Sequence, residues 1–271
     1  MSSPPLWIGG PPGAGKSTVA RLITRRRGLR WYQADTRTWE HRDRALAARH
    51  PDAVRFEQLS PEQRWSAPDA ALLAMSLHRE RGPMIADDVR ALPDRPATVV
   101  EGTPVVPEIV GRDEPAVWLL PAPGLQRRRL ARRGPHAAGT LRLYELLADE
   151  IDADANAHGA TVLRIHENTT VAQAVAAVEE IFAGALAACP AATTAAERRA
   201  LLRDANRAVV DQHLAFFARP WSTGDPAAAV VDFACECGAP DCLADVPLPV
   251  TAHPSGPGGP PLLAAGHRTV A

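Results

Sequence analysis

Residues 10–17 read Gly10-Pro11-Pro12-Gly13-Ala14-Gly15-Lys16-Ser17, the pattern G-x-x-x-x-G-K-S. Glycines at this spacing let the backbone curl until successive N–H groups point at one phosphate. A helix that opens at the end of the loop adds its positive N-terminal dipole. Lys16 then reaches the β- and γ-phosphates of a nucleotide, Ser17 holds Mg²⁺, and Thr18 continues the cradle into the first helical turn. The 30 basic residues of the chain are 29 Arg and one Lys, and that lysine is Lys16. A compact ammonium on a flexible stem is chemically distinct from a planar guanidinium, and here it stands where arginine does not substitute.

The motif needs a strand before it and a helix after it. Leu6-Trp7-Ile8 supplies a short apolar strand, and 17–27 carries Val19, Ala20, Leu22 and Ile23 on one helical face. Further strands are expected over 29–33, 97–100, 116–120 and 160–165. Helices are expected over 37–49, 68–81, 83–92, 124–133, 141–158 and 171–186. Strands alternating with helices predict an α/β fold: a five-stranded parallel sheet with helices on both faces. Asp35 follows the second strand and lies 19 residues after Lys16, and Arg37 lies two further on. A carboxylate there suits acceptance of a hydroxyl proton, and an Arg suits an anionic group. Asp35 is equally suited to cap the helix that follows. Glu101-Gly102 ends the third strand, where a carboxylate can order the water shell of Mg²⁺ or simply face solvent. Asp87-Asp88 is a rival acidic pair, read as a solvated helix face.

These residues together resemble the P-loop NTPases, and more closely the P-loop kinases of small molecules, of which shikimate, gluconate and nucleoside kinases are examples. The resemblance covers about residues 4–186 and is sharpest in the loop. It implies ATP and Mg²⁺ as cofactors, with Gly10 to Thr18 as the phosphate cradle. Lys16 and Asp35 become catalytic residues, Ser17 and Glu101 metal ligands, and Asp35, Arg37, Glu101 and Gly102 substrate contacts. The Arg-rich segment Gln126 to Arg133 has five arginines within seven residues. It resembles a lid helix whose Arg129 and Arg133, on one face, steady the transferred charge; a solvated basic face is the alternative. The acceptor pocket is expected from residues 36–95, with Trp39, His41, Arg42, Trp65, His78 and Arg79 suiting a ring or sugar that bears an anion.

Past Cys189-Pro190 the character changes, giving domains at 1–188 and 189–271, the second a small α+β module. Its helix is expected over 195–218. Cys235-Glu236-Cys237-Gly238-Ala239-Pro240-Asp241-Cys242 has the spacing C-x-C-x₄-C, which lets three thiolates converge on a structural Zn²⁺. His267 is the first candidate for a fourth ligand and His253 the second. Reactive thiols or unligated buried cysteines are the alternatives. Cys189 stands alone and reads as structural.

The formal net charge of −1 argues against a nucleic-acid binder, and after residue 219 the tail holds one Arg, Arg268, and no Lys. No stretch is apolar enough to span a membrane, and the N-terminus lacks a basic n-region before an apolar core, so a cytoplasmic protein is expected. The expected partners are a nucleotide and a small-molecule acceptor, with ATP-dependent phosphoryl transfer between them. The alternative is a nucleotide-dependent ATPase or switch whose zinc module binds a protein partner.

Overall fold

The computed structural model describes residues 3–132, 138–254, 256 and 259–270. The first part runs β1 (Leu6–Gly9), α1 (Lys16–Arg27), β2 (Arg30–Gln33), α2 (Thr38–Ala47), α3 (Pro51–Gln58), α4 (Pro61–Trp65), α5 (Asp69–Ser76), α6 (Arg81–Ala91) and β3 (Thr98–Glu101). It continues through β4 (Ala116–Pro121), α7 (Pro123–Arg132), α8 (Ala138–Ala157), β5 (Val162–Ile165), α9 (Val171–Ile181) and α10 (Ala183–Ala188). Then come the long α11 (Ala195–Phe217) and the hairpin strands β6 (Val230–Ala234) and β7 (Asp245–Pro249).

Strands β1 to β5 form one parallel sheet in the order β2-β3-β1-β4-β5. The α/β class read from the sequence is therefore the class observed, and a separate antiparallel β6–β7 pair lies beyond it. Side chains alternate across the sheet with period two. Leu6, Ile8, Val99, Val117 and Leu119 face one apolar layer with Val19 and Ile23 of α1 and Val175 and Val178 of α9. Trp7, Val100, Trp118 and Leu120 face the other, against Ile85 of α6 and Leu147 and Ile151 of α8. Burial on both faces is what a parallel sheet with crossover helices requires.

The helix expected over 68–81 is shorter, and the one expected over 83–92 starts earlier. α5 ends at Ser76, Leu77 after it takes a left-handed conformation (φ 57°), and α6 begins at Arg81. Pro83 explains the restart: it lacks an N–H, which only the first turn of a helix can spare. Before them, α3 and α4 each open on a proline, and Ser60 with Gln63 forms a capping box on α4. The hydrophobic periodicity gives no expectation of either.

The segment beyond residue 189 is packed against the first. Ala192 N–H donates to Gly28 O (2.7 Å), and α11, capped by Thr194 and Glu197, runs along β2. It covers an edge strand that would otherwise present open backbone groups.

Candidate functional site

The phosphate loop leaves β1 and turns into α1. Gly10 has φ 135°, and a Cβ there would stand 2.3 Å from Leu119 O, so only glycine fits. Gly15, at φ 96°, is the N-cap of α1 and offers no side-chain cap to the first N–H groups of the helix, the end that favours an anion. Lys16 is 5% exposed, and its Nζ donates to Pro11 O (3.1 Å) and reaches Thr103 Oγ1 (3.5 Å). Two side chains of α7 grip the loop from outside. Gln126 Nε2 donates to Pro12 O (3.0 Å), and Arg129 Nη1 donates to Gly13 O and Ala14 O (3.1 and 3.0 Å). Arg133 lies outside the described residues. Ser17 is exposed and Thr18 half-buried. Thr18 lines a cleft of about 260 Å³ shared with Arg129, Arg132, Thr169 and Thr170.

The strand register assembles the acidic groups. Ile8 and Gln33 both stand opposite Glu101 across the sheet, so the residues after β1, β2 and β3 meet at one edge. This is the carboxyl end of the strands, where open α/β sheets bind ligands. Glu101 is 1% exposed, and its Oε2 finds no hydrogen-bond partner among the described residues. Burial pushes its carboxyl up, the Lys16 ammonium opposes this, and Asp35 adds to it, leaving the group at about 7. A buried carboxylate oxygen without a donor, near a loop hydroxyl, suits a hydrated divalent cation, so the residues present fit Mg²⁺. Gly102 lets the chains close: its Cβ would sit 2.6 Å from Ala34 Cβ. Asp35 accepts from Thr103 N–H (3.2 and 3.3 Å) and Thr103 Oγ1 (3.3 Å).

A cavity of about 660 Å³ opens from Lys16, Ser17, Asp35 and Thr103. Asp35, Thr38, Trp39 and Arg42, spaced i, i+3, i+4 and i+7, line one side of it. The far wall comes from the end of α11 and beyond, through Phe216 and Trp221. Gln212 accepts from Trp39 N–H (3.2 Å), Arg219 donates to Asp43 (2.7 Å), and Trp221 Nε1 donates to Glu57 (2.6 Å), fastening that wall to α2 and α3. The Arg42 guanidinium lies 3.8 Å from the Phe56 ring centre, and that of Arg64 lies 4.2 Å from Phe56 and 4.1 Å from Trp221. Burial lowers Arg42 to about 10, so it stays charged at neutral pH. His78, 5% exposed, is pushed down to about 4 by burial and by Arg81 and Arg79.

Of the residues expected in the acceptor pocket, Trp39, Arg42, Trp65 and His78 line this cavity. His41 and Arg79 do not. His41 is buried against Asp88 (2.9 Å) and Arg81, and Arg79 lies on the surface with Glu108, Glu150 and Asp154. Arg37 pairs with Glu40 (2.9 Å) and is absent from the lining. The reading of Asp87-Asp88 as a solvated face needs correction at Asp88. That carboxylate gathers Tyr32 Oη, His41 and Arg44, whose bonds and charge outweigh burial and hold it at about 2. Thr103, Arg81, Phe216 and Trp221 were not singled out in the sequence. Thr103 follows Glu101 by two residues, which is a usable signal; nothing local points to Phe216 or Trp221.

The cysteines meet His267. One ligand atom from each of Cys235, Cys237, Cys242 and His267 lies within 4.8 Å of the others. His267 Nδ1 stands 3.5 Å from Cys235 Sγ and 3.6 Å from Cys242 Sγ. Bonds of about 2.3 Å to sulfur and about 2.0 Å to nitrogen at tetrahedral angles imply about 3.5 Å between such atoms, so the set fits Zn²⁺. Arg25 and Ala264 N–H donate to the sulfurs of Cys237 (3.4 Å) and Cys235 (3.3 Å), as outer partners of thiolate ligands do. His253 is elsewhere, its ring tilted against Phe233 with centres 4.6 Å apart. Cys189 lies 3.7 Å from Ser3 Oγ, apart from the cluster.

Sheet, loop and cavity together define an α/β protein with a glycine-rich loop and a cavity at the carboxyl edge of its strands. No family model matches the chain. No curated protein matches it either. Two solved structures are similar in chain course. One is an unliganded sugar kinase from Janibacter sp. HTCC2649, 16% identical, covering 69% of this chain and 98% of that one with a TM-score of 0.39. The other is shikimate kinase from Acinetobacter baumannii in complex with shikimate, 18% identical, covering 67% and 94% with a TM-score of 0.39. No helix among the described residues is long and apolar enough to cross a membrane.

Proposed function

We propose that the protein transfers the γ-phosphoryl group of Mg·ATP to a hydroxyl of a small molecule. The observation that carries this reading is that Lys16 of the phosphate loop and Asp35 of the β2 tip open onto one cavity. The loop N–H groups and Lys16 bind the β- and γ-phosphates. Ser17 and Glu101 serve the metal, which neutralises charge on the transferring group. The cleft of about 260 Å³ beside Thr18 and Arg129 takes the nucleoside. Asp35, held by Thr103, orients the acceptor hydroxyl and accepts its proton. Arg129, already on the loop, steadies the developing charge, so catalysis is positioning and electrostatics.

Residues 1–188 form the nucleotide-binding part of this scheme. Residues 189–271 form an arm and a module stapled by Zn²⁺ on Cys235, Cys237, Cys242 and His267, a closed set and therefore structural.

The test incubates the protein and Lys16→Ala with Mg·ATP and a broad panel of hydroxylated compounds, following ADP and the acceptor's mass. The expected result is a Lys16-dependent gain of one phosphate on an acceptor. Lys16-dependent ADP release that no acceptor accelerates would instead favour a nucleotide switch.

A further inference from the structure

The cavity differs from a site built for a polyol, and the difference lies in its polar inventory. A sugar or cyclitol carries hydroxyls on all sides, and each needs a partner once buried. A hydroxyl left unpaired costs about tenfold or more in affinity. Side chains that serve such groups are carboxylates and amides, which accept and fork. Among the described lining residues there is no Asn, no Gln and no Glu, and Asp35 is the one carboxylate. Two of the lining hydroxyls are already committed to backbone: Thr38 Oγ1 donates to Asp35 O (2.7 Å) and Ser76 Oγ donates to Leu73 O (2.6 Å). Arg42 Nη2 donates to Met75 O (2.7 Å), and the Phe56 ring covers its guanidinium.

The remaining surface is apolar and ring-rich. Trp39, Phe56, Trp65, Tyr144, Phe216 and Trp221 line it, with Leu72, Met75, Leu143 and Leu147 between them. Trp39, Phe216 and Trp221 pack at 5.6 Å between ring centres, so three rings from two distant segments make one wall. The volume of about 660 Å³ lies in the drug-sized range of about 300–1,000 Å³. Lys16, Asp35 and Thr103 stand together, where they can serve a reacting hydroxyl, while Arg42 Nε and Nη1, Arg64 Nη2 and the His78 ring nitrogens are buried in the lining without a hydrogen-bond partner among the described residues. Cationic charge exceeds anionic charge in the lining: Lys16, Arg42, Arg64 and Arg81 against Asp35, with Glu57 next to Arg42.

We propose that the acceptor is a ring-bearing, largely apolar alcohol, neutral or anionic, that enters hydroxyl-first between the Trp39–Phe216–Trp221 wall and the aliphatic side of the cavity. This rests on the phosphoryl-transfer reading and specifies its substrate. The bond from the γ-phosphorus to the β–γ bridging oxygen breaks, a bond from that phosphorus to the alcohol oxygen forms, the hydroxyl proton goes to Asp35, and ADP leaves with the bridging oxygen. Asp35 and Lys16 meet the reacting end, while the rings set specificity.

The test measures binding and transfer separately on the 271-residue chain. Binding is read by calorimetry with a non-hydrolysable ATP analogue present. The probes are 3-phenyl-1,2-propanediol, a bicyclic aryl alcohol and cyclohexylmethanol, set against glucose, gluconate and inositol, with an amine-bearing aryl alcohol as the cationic control. Ring alcohols are expected to bind about tenfold or more tightly than the polyols and the amine. They are also expected to gain one phosphate with ATP. Trp221→Ala is expected to raise the acceptor KM about tenfold with the nucleotide KM unchanged, and Trp221→Phe to restore it. Ring alcohols that bind but never gain phosphate would uphold the acceptor class and overturn the transfer reading. Polyols that gain phosphate while ring alcohols neither bind nor react would uphold transfer and overturn the class. Binding by neither set would overturn the class as well.

Discussion

Lys16 and Asp35 carry unlike tasks, and their neighbours separate them. Lys16 is buried against Pro11 O and Thr103, while Asp35 is held by the Thr103 backbone and hydroxyl, so one threonine fixes both. Asp35→Asn keeps the shape and removes the base. Phosphoryl transfer is expected to fall about 10²- to 10⁴-fold with the nucleotide Kd nearly unchanged. Single-turnover kinetics beside equilibrium nucleotide binding measure this, and a parallel fall in nucleotide affinity would refute the assignment. His78 gives a pH dependence. Its folded value of about 4 lies below its ordinary 6.5, so the unfolded chain takes up a proton first as pH falls. The folded state is unpenalised above pH 6.5 and loses roughly 3 kcal/mol by pH 4 through this group. Urea unfolding at pH 7 and pH 4.5 should show a shallower loss for His78→Gln than for the parent chain. Equal slopes would mean that His78 does not titrate in this way.

At the scale of elements, α1 has two occupied ends. Its N-terminus faces the phosphate loop, and its last turns hold the cysteine module. Arg25, 5% exposed, donates to Cys235 O (2.8 Å), Ala239 O (3.0 Å) and Cys237 Sγ (3.4 Å). Arg21 pairs with Asp245, and Arg26 pairs with Asp241 at 2.6 Å. From the other side, Asn206 of α11 exchanges bonds with Ala234 and donates to Glu236, and Arg203 pairs with that buried glutamate. Arg25→Ala removes the donors to Cys235 O, Ala239 O and Cys237 Sγ, an expected loss of about 2–4 kcal/mol. Chemical denaturation reads it, and a change within experimental error would show that the module contributes no stability through α1.

For the whole molecule, α11 is the member that joins the two ends. It leaves the sheet edge at β2, anchors the β6–β7 hairpin midway, and ends in the aromatic wall of the cavity. A metal held by the four-residue cluster would be coupled to folding of the segment that carries it. The purified protein is expected to carry about one zinc per chain by elemental analysis, a stoichiometry lost in Cys235→Ser. Chelation should lower the Tm and alter tryptophan emission, since Trp221 rides on the same arm. A 271-residue chain with no bound zinc and no response to chelator would contradict this.

Local patterns reached far in this chain because their physics is local. Gly10 to Ser17 must curl to offer N–H groups, β-branched runs must alternate with amphipathic helices, and C-x-C-x₄-C must converge if ligated; each is legible within a dozen residues. The parallel sheet, the phosphate loop, Asp35 and Glu101 at strand tips, and the Cys₃His set could therefore be named from the sequence. Register and packing decided the rest. Thr103 joins Asp35 because β2 and β3 pair in one register, and Asp88 is half-buried because Tyr32, His41 and Arg44 converge on it from two other elements. Phe216 and Trp221 reach the cavity because α11 packs along β2, more than 170 residues from Trp39 in the case of Phe216. Such contacts join segments distant along the chain, and no periodicity within either segment encodes the meeting.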